Sequence, residues 1–181
     1  MVKRKTSADW ESAALRAIAA HGLDALSIPE LARTLGVTKG SFYWHFDSLK
    51  ALVAAALRRW EEMDGEALDV ARPIKDPRAR LKSLFVQSMQ KREAHALYVA
   101  LALSSDPEVA AAVRRVSQRR LRFLVDSYRQ LGLPAAEART RAQLAYSAYV
   151  GALHLRRQRA PGLTSEKDLG AYVAYAVRTL I

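Results

Sequence analysis

Between Ser27 and Lys50 the sequence sets two short apolar stripes of helical period on either side of one glycine, which leaves this stretch few folds to adopt. Ile28, Leu31, Ala32 and Leu35 recur at i, i+3, i+4 and i+7, the core face of a helix barely two turns long. Ser27-Ile28-Pro29-Glu30 reads as its start, a capping box with proline in the first turn, and Gly36 as its stop. Thr38 stands where an N-cap would open a second helix, whose Phe42 and Phe46 lie four residues apart. Two short helices meeting at a glycine turn, each with one apolar face, form a helix-turn-helix.

The rest of the chain is helical by the same criteria. With 8 Gly and 6 Pro among 181 residues there is little room for a turn-rich β protein, and alanine, leucine and arginine favour helix. A first helix from Ser7 to His21 carries Trp10, Ala14, Ala17, Ile18 and His21 on one stripe and stops at Gly22. Asp47 or Ser48 caps a long fourth helix from Leu49 to about Val70. Its Ala51, Leu52, Ala55, Ala56 and Leu57 make a buried face, and Glu61, Glu62, Asp64 and Glu66 a wet one. Pro73 and Pro77 break the pattern, and Asp76-Pro77 starts the next helix. Further helices are expected over 77–92 and 94–104, from Ser105-Asp106-Pro107 to Gly132, and from Pro134 to about Arg157. After Pro161-Gly162, Ser165 to Asp168 cap the last. The expected fold is all-α, with about nine helices: a three-helix unit at 1–50, joined by the long fourth helix to a bundle within 51–181.

Several function classes drop out. The absence of cysteine removes disulfides, thiolate metal sites and cysteine nucleophiles. The longest apolar run, Ala96 to Leu103, falls far short of the roughly 20 residues a membrane span needs. Lys3, Arg4 and Lys5 are followed by Asp9 and Glu11, which interrupt any signal-like apolar stretch, so no secretory signal is expected. His21, His45, His95 and His154 show no metal-ligand spacing. With no glycine-rich phosphate loop and no nucleophile elbow either, neither catalysis nor a cofactor or metal is expected. A net charge of +11 favours a polyanionic partner. However, residues 1–60 hold 9 basic and 5 acidic side chains, so most of the surplus lies beyond the helix-turn-helix.

The second short helix carries the chemistry. At roughly 100° per residue, Phe42 and Phe46 face the core with Thr38 near them. Gly40 and Trp44 occupy the opposite arc, flanked by Ser41 and Tyr43, with Lys39 and His45 at its borders. Adjacent outward aromatics are unusual without a partner, and a helical glycine costs about 1 kcal/mol against alanine. Both make sense if this face enters the major groove of DNA. Gly40 lets backbone approach the duplex, Lys39 reaches guanine acceptors, and Ser41 bonds base or phosphate. Tyr43 and His45 reach phosphates, and Tyr43 or Trp44 presses on a thymine methyl. The alternative is that Tyr43 and Trp44 pack on a neighbouring helix.

These residues resemble a known family. Ala25 to Leu52, and above all Gly36-Val37-Thr38-Lys39-Gly40-Ser41-Phe42-Tyr43-Trp44-His45-Phe46, looks like the N-terminal domain of the TetR family of bacterial regulators. The resemblance spans roughly residues 8–58. It implies three DNA-binding helices followed by helices that bind a small molecule and form a dimer. By the same resemblance Ser27 bonds phosphate, Lys39, Gly40, Ser41, Tyr43 and Trp44 lie along the groove, His45 sits at its phosphate edge, and Lys50 contacts the backbone. Leu49 stands where the family frequently has lysine. The function implied is a ligand-responsive repressor that binds a palindromic operator as a homodimer and is released by a small-molecule effector. It would be a cytoplasmic bacterial protein, nucleoid-associated when bound to DNA. A sequence-neutral architectural nucleic-acid binder is the alternative.

Beyond residue 60 the resemblance gives architecture without chemistry. Ala145, Ala148 and Ala152 form a stripe of small side chains that permits close helix crossing. With Leu169, Val173, Ala176, Val177 and Leu180 it is assigned to a four-helix dimer interface, an intramolecular core being the alternative. Candidate ligand contacts are Trp60, Met63, Gln87, Met89, His95, Tyr98, Gln143, Tyr146, Tyr149 and His154. Arg114, Arg115, Arg119, Arg120 and Arg122 read as a solvated basic face, or alternatively as a site for an acidic ligand or a second DNA contact.

Overall fold

The computed structural model describes residues 5–90 and 92–181. The described residues form nine helices and no strand: α1 (Ser7–His21), α2 (Ile28–Leu35), α3 (Lys39–Tyr43), α4 (Leu49–Asp69), α5 (Pro77–Gln90), α6 (Arg92–Ala102), α7 (Pro107–Gln130), α8 (Ala135–Arg157) and α9 (Glu166–Leu180). The expected helices over 77–92 and 94–104 correspond to α5 and α6; Lys91 lies outside the described residues.

Polar side chains fix most of the helix starts, because each satisfies backbone N–H groups that have no partner within the helix. Ser48 accepts from the Ala51 N–H at 3.1 Å, Asp76 from Ala79 at 3.0 Å, Asp106 from Glu108 at 2.8 Å and Ser165 from Asp168 at 3.0 Å. Thr6 and Asp9 form a capping box on α1. The box expected at Ser27 does not form. Ser27 has extended backbone but makes no side-chain cap bond. Pro29 has no N–H to offer, and Glu30 turns to Arg33 at 2.6 Å instead.

The chain divides into two compact units, 1–63 with 96–114, and 64–95 with 115–181. In the first, Trp10, Ile18, Leu31, Phe42 and Leu52 are buried. The Phe42 ring meets the edge of Trp10 at 5.3 Å and lies 5.8 Å from Phe46. In the second, Leu81, Phe85, Leu124, Tyr128, Ala138, Ala142, Ala145, Ala176, Leu180 and Ile181 form one core, with the Tyr128 hydroxyl donating to the Leu180 carbonyl at 2.9 Å.

One assignment on α4 is corrected. Asp64, grouped with Glu61, Glu62 and Glu66 on a wet face, is buried. It stands four residues from both Trp60 and Leu68, which are buried too, so the helical period carries it inward.

Candidate DNA-reading surface and ligand cavity

Gly36 makes the corner of the helix-turn-helix. Its φ of 68° is left-handed, a conformation that costs glycine little. It lets the Val37 N–H reach the Ala32 carbonyl at 3.0 Å, closing α2 in a Schellman pattern. Thr38 heads α3 without a side-chain cap bond, and α3 is only five residues long. Phe46 belongs to the turn that follows, where the Phe42 carbonyl accepts from His45 at 2.9 Å and from Phe46 at 3.1 Å. The surface expected along one helix therefore spans α3 and this turn.

Phe42 is fully buried, and that anchor decides what its neighbours do. Tyr43 is 62% and Trp44 79% exposed, so neither packs away on another helix of the chain. Thr38, Lys39 and Gly40 are exposed; Ser27, Ser41 and His45 are half-buried. A Cβ built on Gly40 would meet nothing nearer than the Thr38 Oγ1, at 3.7 Å, so no atom of the chain itself requires glycine there. His45 Nδ1 lies 3.5 Å from the Ser7 hydroxyl. Lys50 pairs with Glu108 at 2.9 Å, a partner not apparent from sequence; the hydrogen bond and charge of Glu108 raise the lysine pKa.

The second unit holds a cavity of about 70 Å³. Leu68, Leu84, Phe85 and Leu124 supply apolar wall, Tyr146 and Tyr149 a pair of rings 6.3 Å apart, and Asp64, Ser88 and Arg120 the polar groups. Asp64 is the centre of the polar wall. Its Oδ1 accepts from Arg120 Nε at 2.7 Å, with Nη2 of the same guanidinium in ionic contact at 2.6 Å, and its Oδ2 accepts from Arg119 Nε at 3.4 Å and Nη2 at 3.2 Å. Two guanidiniums thus hold one carboxylate through three hydrogen bonds and an ionic contact. The Arg120 guanidinium also lies over the Tyr149 ring, 5.5 Å from its centroid. Burial opposes its charge, but Tyr149 and Asp64 outweigh that cost and raise its pKa. Arg119 and Arg120 are thus not part of a solvated basic face, whereas Arg114, Arg115 and Arg122 are exposed.

Of the ten ligand candidates, Tyr146 and Tyr149 line this cavity. Tyr146 donates to Ser117 at 2.9 Å. His95 is buried, its ring 6.1 Å from Tyr149, and its Nε2–H donates to the carbonyl of Ser88. Burial lowers its pKa against that bond, helped by the charges of Arg156 and Arg120. Met89 is buried, Gln87 bonds Ser83 at 2.9 Å, and His154 accepts from Gln158 at 3.0 Å. Gln143 and Met63 are exposed, while Trp60 and Tyr98 are buried in the first unit with rings 6.4 Å apart. Asp64 was absent from the candidates, and Arg120 was named only in the alternative reading of the arginine group as a site for an acidic ligand. The signal for Asp64 was its place on the buried stripe of α4.

Ala145, Ala176 and Leu180, assigned to an interface, lie in the core of the chain itself, with Ala148 and Val177 packed at its margin. Ala152, Leu169 and Val173 are buried as well.

Comparison with known proteins agrees with this geometry. Residues 12–56 match the family model described as bacterial regulatory proteins, tetR family. No curated protein gives a significant match. Among solved structures, a TetR transcriptional regulator from Legionella pneumophila superposes with a TM-score of 0.81 at 16% identity, covering 97% of both chains. A transcriptional regulator from Rhodococcus sp. RHA1 gives 0.80 at 22% identity, covering 97% of this chain and 96% of that one. A TetR-family regulator from Agrobacterium tumefaciens gives 0.79 at 16%, covering 96% of each. Residues 12–56 are thus similar to the family described as bacterial regulatory proteins, tetR family, and the chain has, over nearly its whole length, the fold of solved TetR-family transcriptional regulators.

Proposed function

We propose that the protein is a ligand-responsive transcriptional repressor that reads a palindromic operator as a dimer. The observation that carries this reading is the pair Tyr43 and Trp44, held outward beside the open flank of Gly40 by a fully buried Phe42. Lys39, Ser41, Thr38 and the two aromatics address the groove, and Ser27, His45 and Lys50 address phosphates. Lys50 exchanges Glu108 for a phosphate, which costs little because that pair is at the surface.

The dimer sets two recognition helices roughly 34–36 Å apart, one turn of DNA. Support for α8 and α9 as its contact surface comes from what the chain leaves uncovered. Leu144, Ser147 and Leu155 run along one side of α8, and Ala171, Ala174 and Tyr175 along one side of α9, all exposed. The effector binds the cavity lined by Tyr146 and Tyr149. Helix α4, which carries both Lys50 and Asp64, transmits its arrival. Typical coupling of this kind is about 1–3 kcal/mol, or roughly 5–150-fold in affinity. Such a repressor works in the bacterial cytoplasm and on the nucleoid, and no reaction is assigned to it. No described helix is long and apolar enough to cross a membrane.

Selection from a random duplex library at near-physiological salt tests the reading, with Tyr43→Ala in parallel. A palindromic site recovered by the native chain and lost by the variant supports it. Sequence-blind recovery matched by the variant overturns it.

A further inference from the structure

The polar wall of the cavity carries information about what the cavity holds. Asp64 and Arg120 both line it, and the Asp64 carboxylate already accepts three N–H groups, two from Arg119 and one from Arg120, whose Nη2 is also in ionic contact with it. A cationic ligand therefore finds the acidic group already paired with two guanidiniums. An anionic ligand meets different terms. A carboxylate entering beside Tyr149 can take over the Arg120 guanidinium, and Asp64 remains held by Arg119. The exchange keeps both Asp64 and the ligand carboxylate paired with a guanidinium, so neither anion is buried unpaired. A guanidinium fork with two parallel N–H groups suits this bidentate exchange. The remaining wall is apolar or aromatic, and about 70 Å³ is room for a small molecule only.

We infer that the effector is a small organic carboxylate with a short apolar body, which binds Arg120 in competition with Asp64. The inference rests on the reading of this cavity as the effector site. It also gives the exchange a consequence within the chain. Asp64 belongs to α4, so a ligand that takes Arg120 from it loosens the α4–α7 link on the side of the helix that faces the cavity.

The test is a charge series on the native full-length chain, read by calorimetric binding and thermal shift. Acetate, propionate and butyrate are compared with propionamide, propylamine and butylamine. The carboxylates are expected to bind at least about tenfold more tightly than their neutral and cationic counterparts, the scale of a charged hydrogen bond. Asp64→Asn, which removes the competing anion, is expected to strengthen carboxylate binding severalfold; a purely structural Asp64 would weaken it. Arg120→Gln is expected to abolish the preference, and if that variant does not fold, the charge series and Asp64→Asn decide. Equal or tighter binding of the amide or amines overturns the inference and leaves a ligand-responsive regulator standing. If no compound of any charge binds, the inference is overturned, whereas the DNA-binding reading is judged by the library selection.

Discussion

Asp64 and Arg120 stand 56 residues apart in sequence and 2.6 Å apart in space, on helices α4 and α7. The pair joins two long helices in the wall of the cavity, and Arg119 holds the other oxygen of the same carboxylate. A carboxylate with 5% of its side chain exposed is stable there because guanidinium N–H groups bond it.

Asp64→Asn preserves the shape but removes the charge between two arginines. The unfolding midpoint in urea is expected to fall by the equivalent of about 2 kcal/mol, the scale of a lost charge-assisted hydrogen-bond set in a partly solvated site. An unchanged midpoint would mean that the pair is energetically idle.

Gly40→Ala separates the needs of the chain from the needs of DNA. The added methyl meets only Thr38 Oγ1 at 3.7 Å, and alanine gains up to about 1 kcal/mol of helix propensity. Thermal stability is expected to hold or rise while affinity for the operator falls. If affinity is unchanged, this face of α3 does not approach the duplex closely.

His95 makes stability depend on pH. Burial holds its folded-state pKa below the unfolded value of about 6.5, so the unfolded chain binds the proton more readily. The stability of the neutral buried ring is fully present above about pH 6.5. It is lost progressively as the pH drops from there through the folded-state pKa. Urea titrations between about pH 8 and 5 are expected to show this slope in the native chain and a shallower one in His95→Gln. Equal slopes would remove His95 as the cause.

Tyr175→Glu places a charge on an α9 side chain that is 61% exposed in the single chain. Sedimentation equilibrium is expected to show a loss of dimer at micromolar concentration with helical content retained. A variant that stays dimeric moves the interface away from this stripe. Ala145→Glu, by contrast, is expected to unfold the chain, because Ala145 lies in its own core.

What the sequence revealed follows from how local each signal is. The span Ser7 to His21 and the helix starts at Asp76, Asp106 and Ser165 were legible because caps act within three residues. The outward placement of Tyr43 and Trp44 was legible too, since Phe42 and Phe46 fix the inner face. The Ser27 box failed on a local competition, Arg33 taking Glu30. Lys50–Glu108 and the Asp64 cluster were not legible, because their partners meet only through tertiary folding. The small stripe on α8 was visible, but its period could not say whether Ala145 faced the same chain or a second copy.

The central claim is sequence-specific reading by the α3 surface, and salt tests it most directly. Affinity for the selected palindrome and for a scrambled duplex of equal length would be measured across a salt series. Base readout predicts that both weaken with salt while a specificity ratio of roughly 10³ or more persists, and that Trp44→Ala collapses that ratio. Two coincident curves, falling together with salt and indifferent to Trp44→Ala, would contradict it.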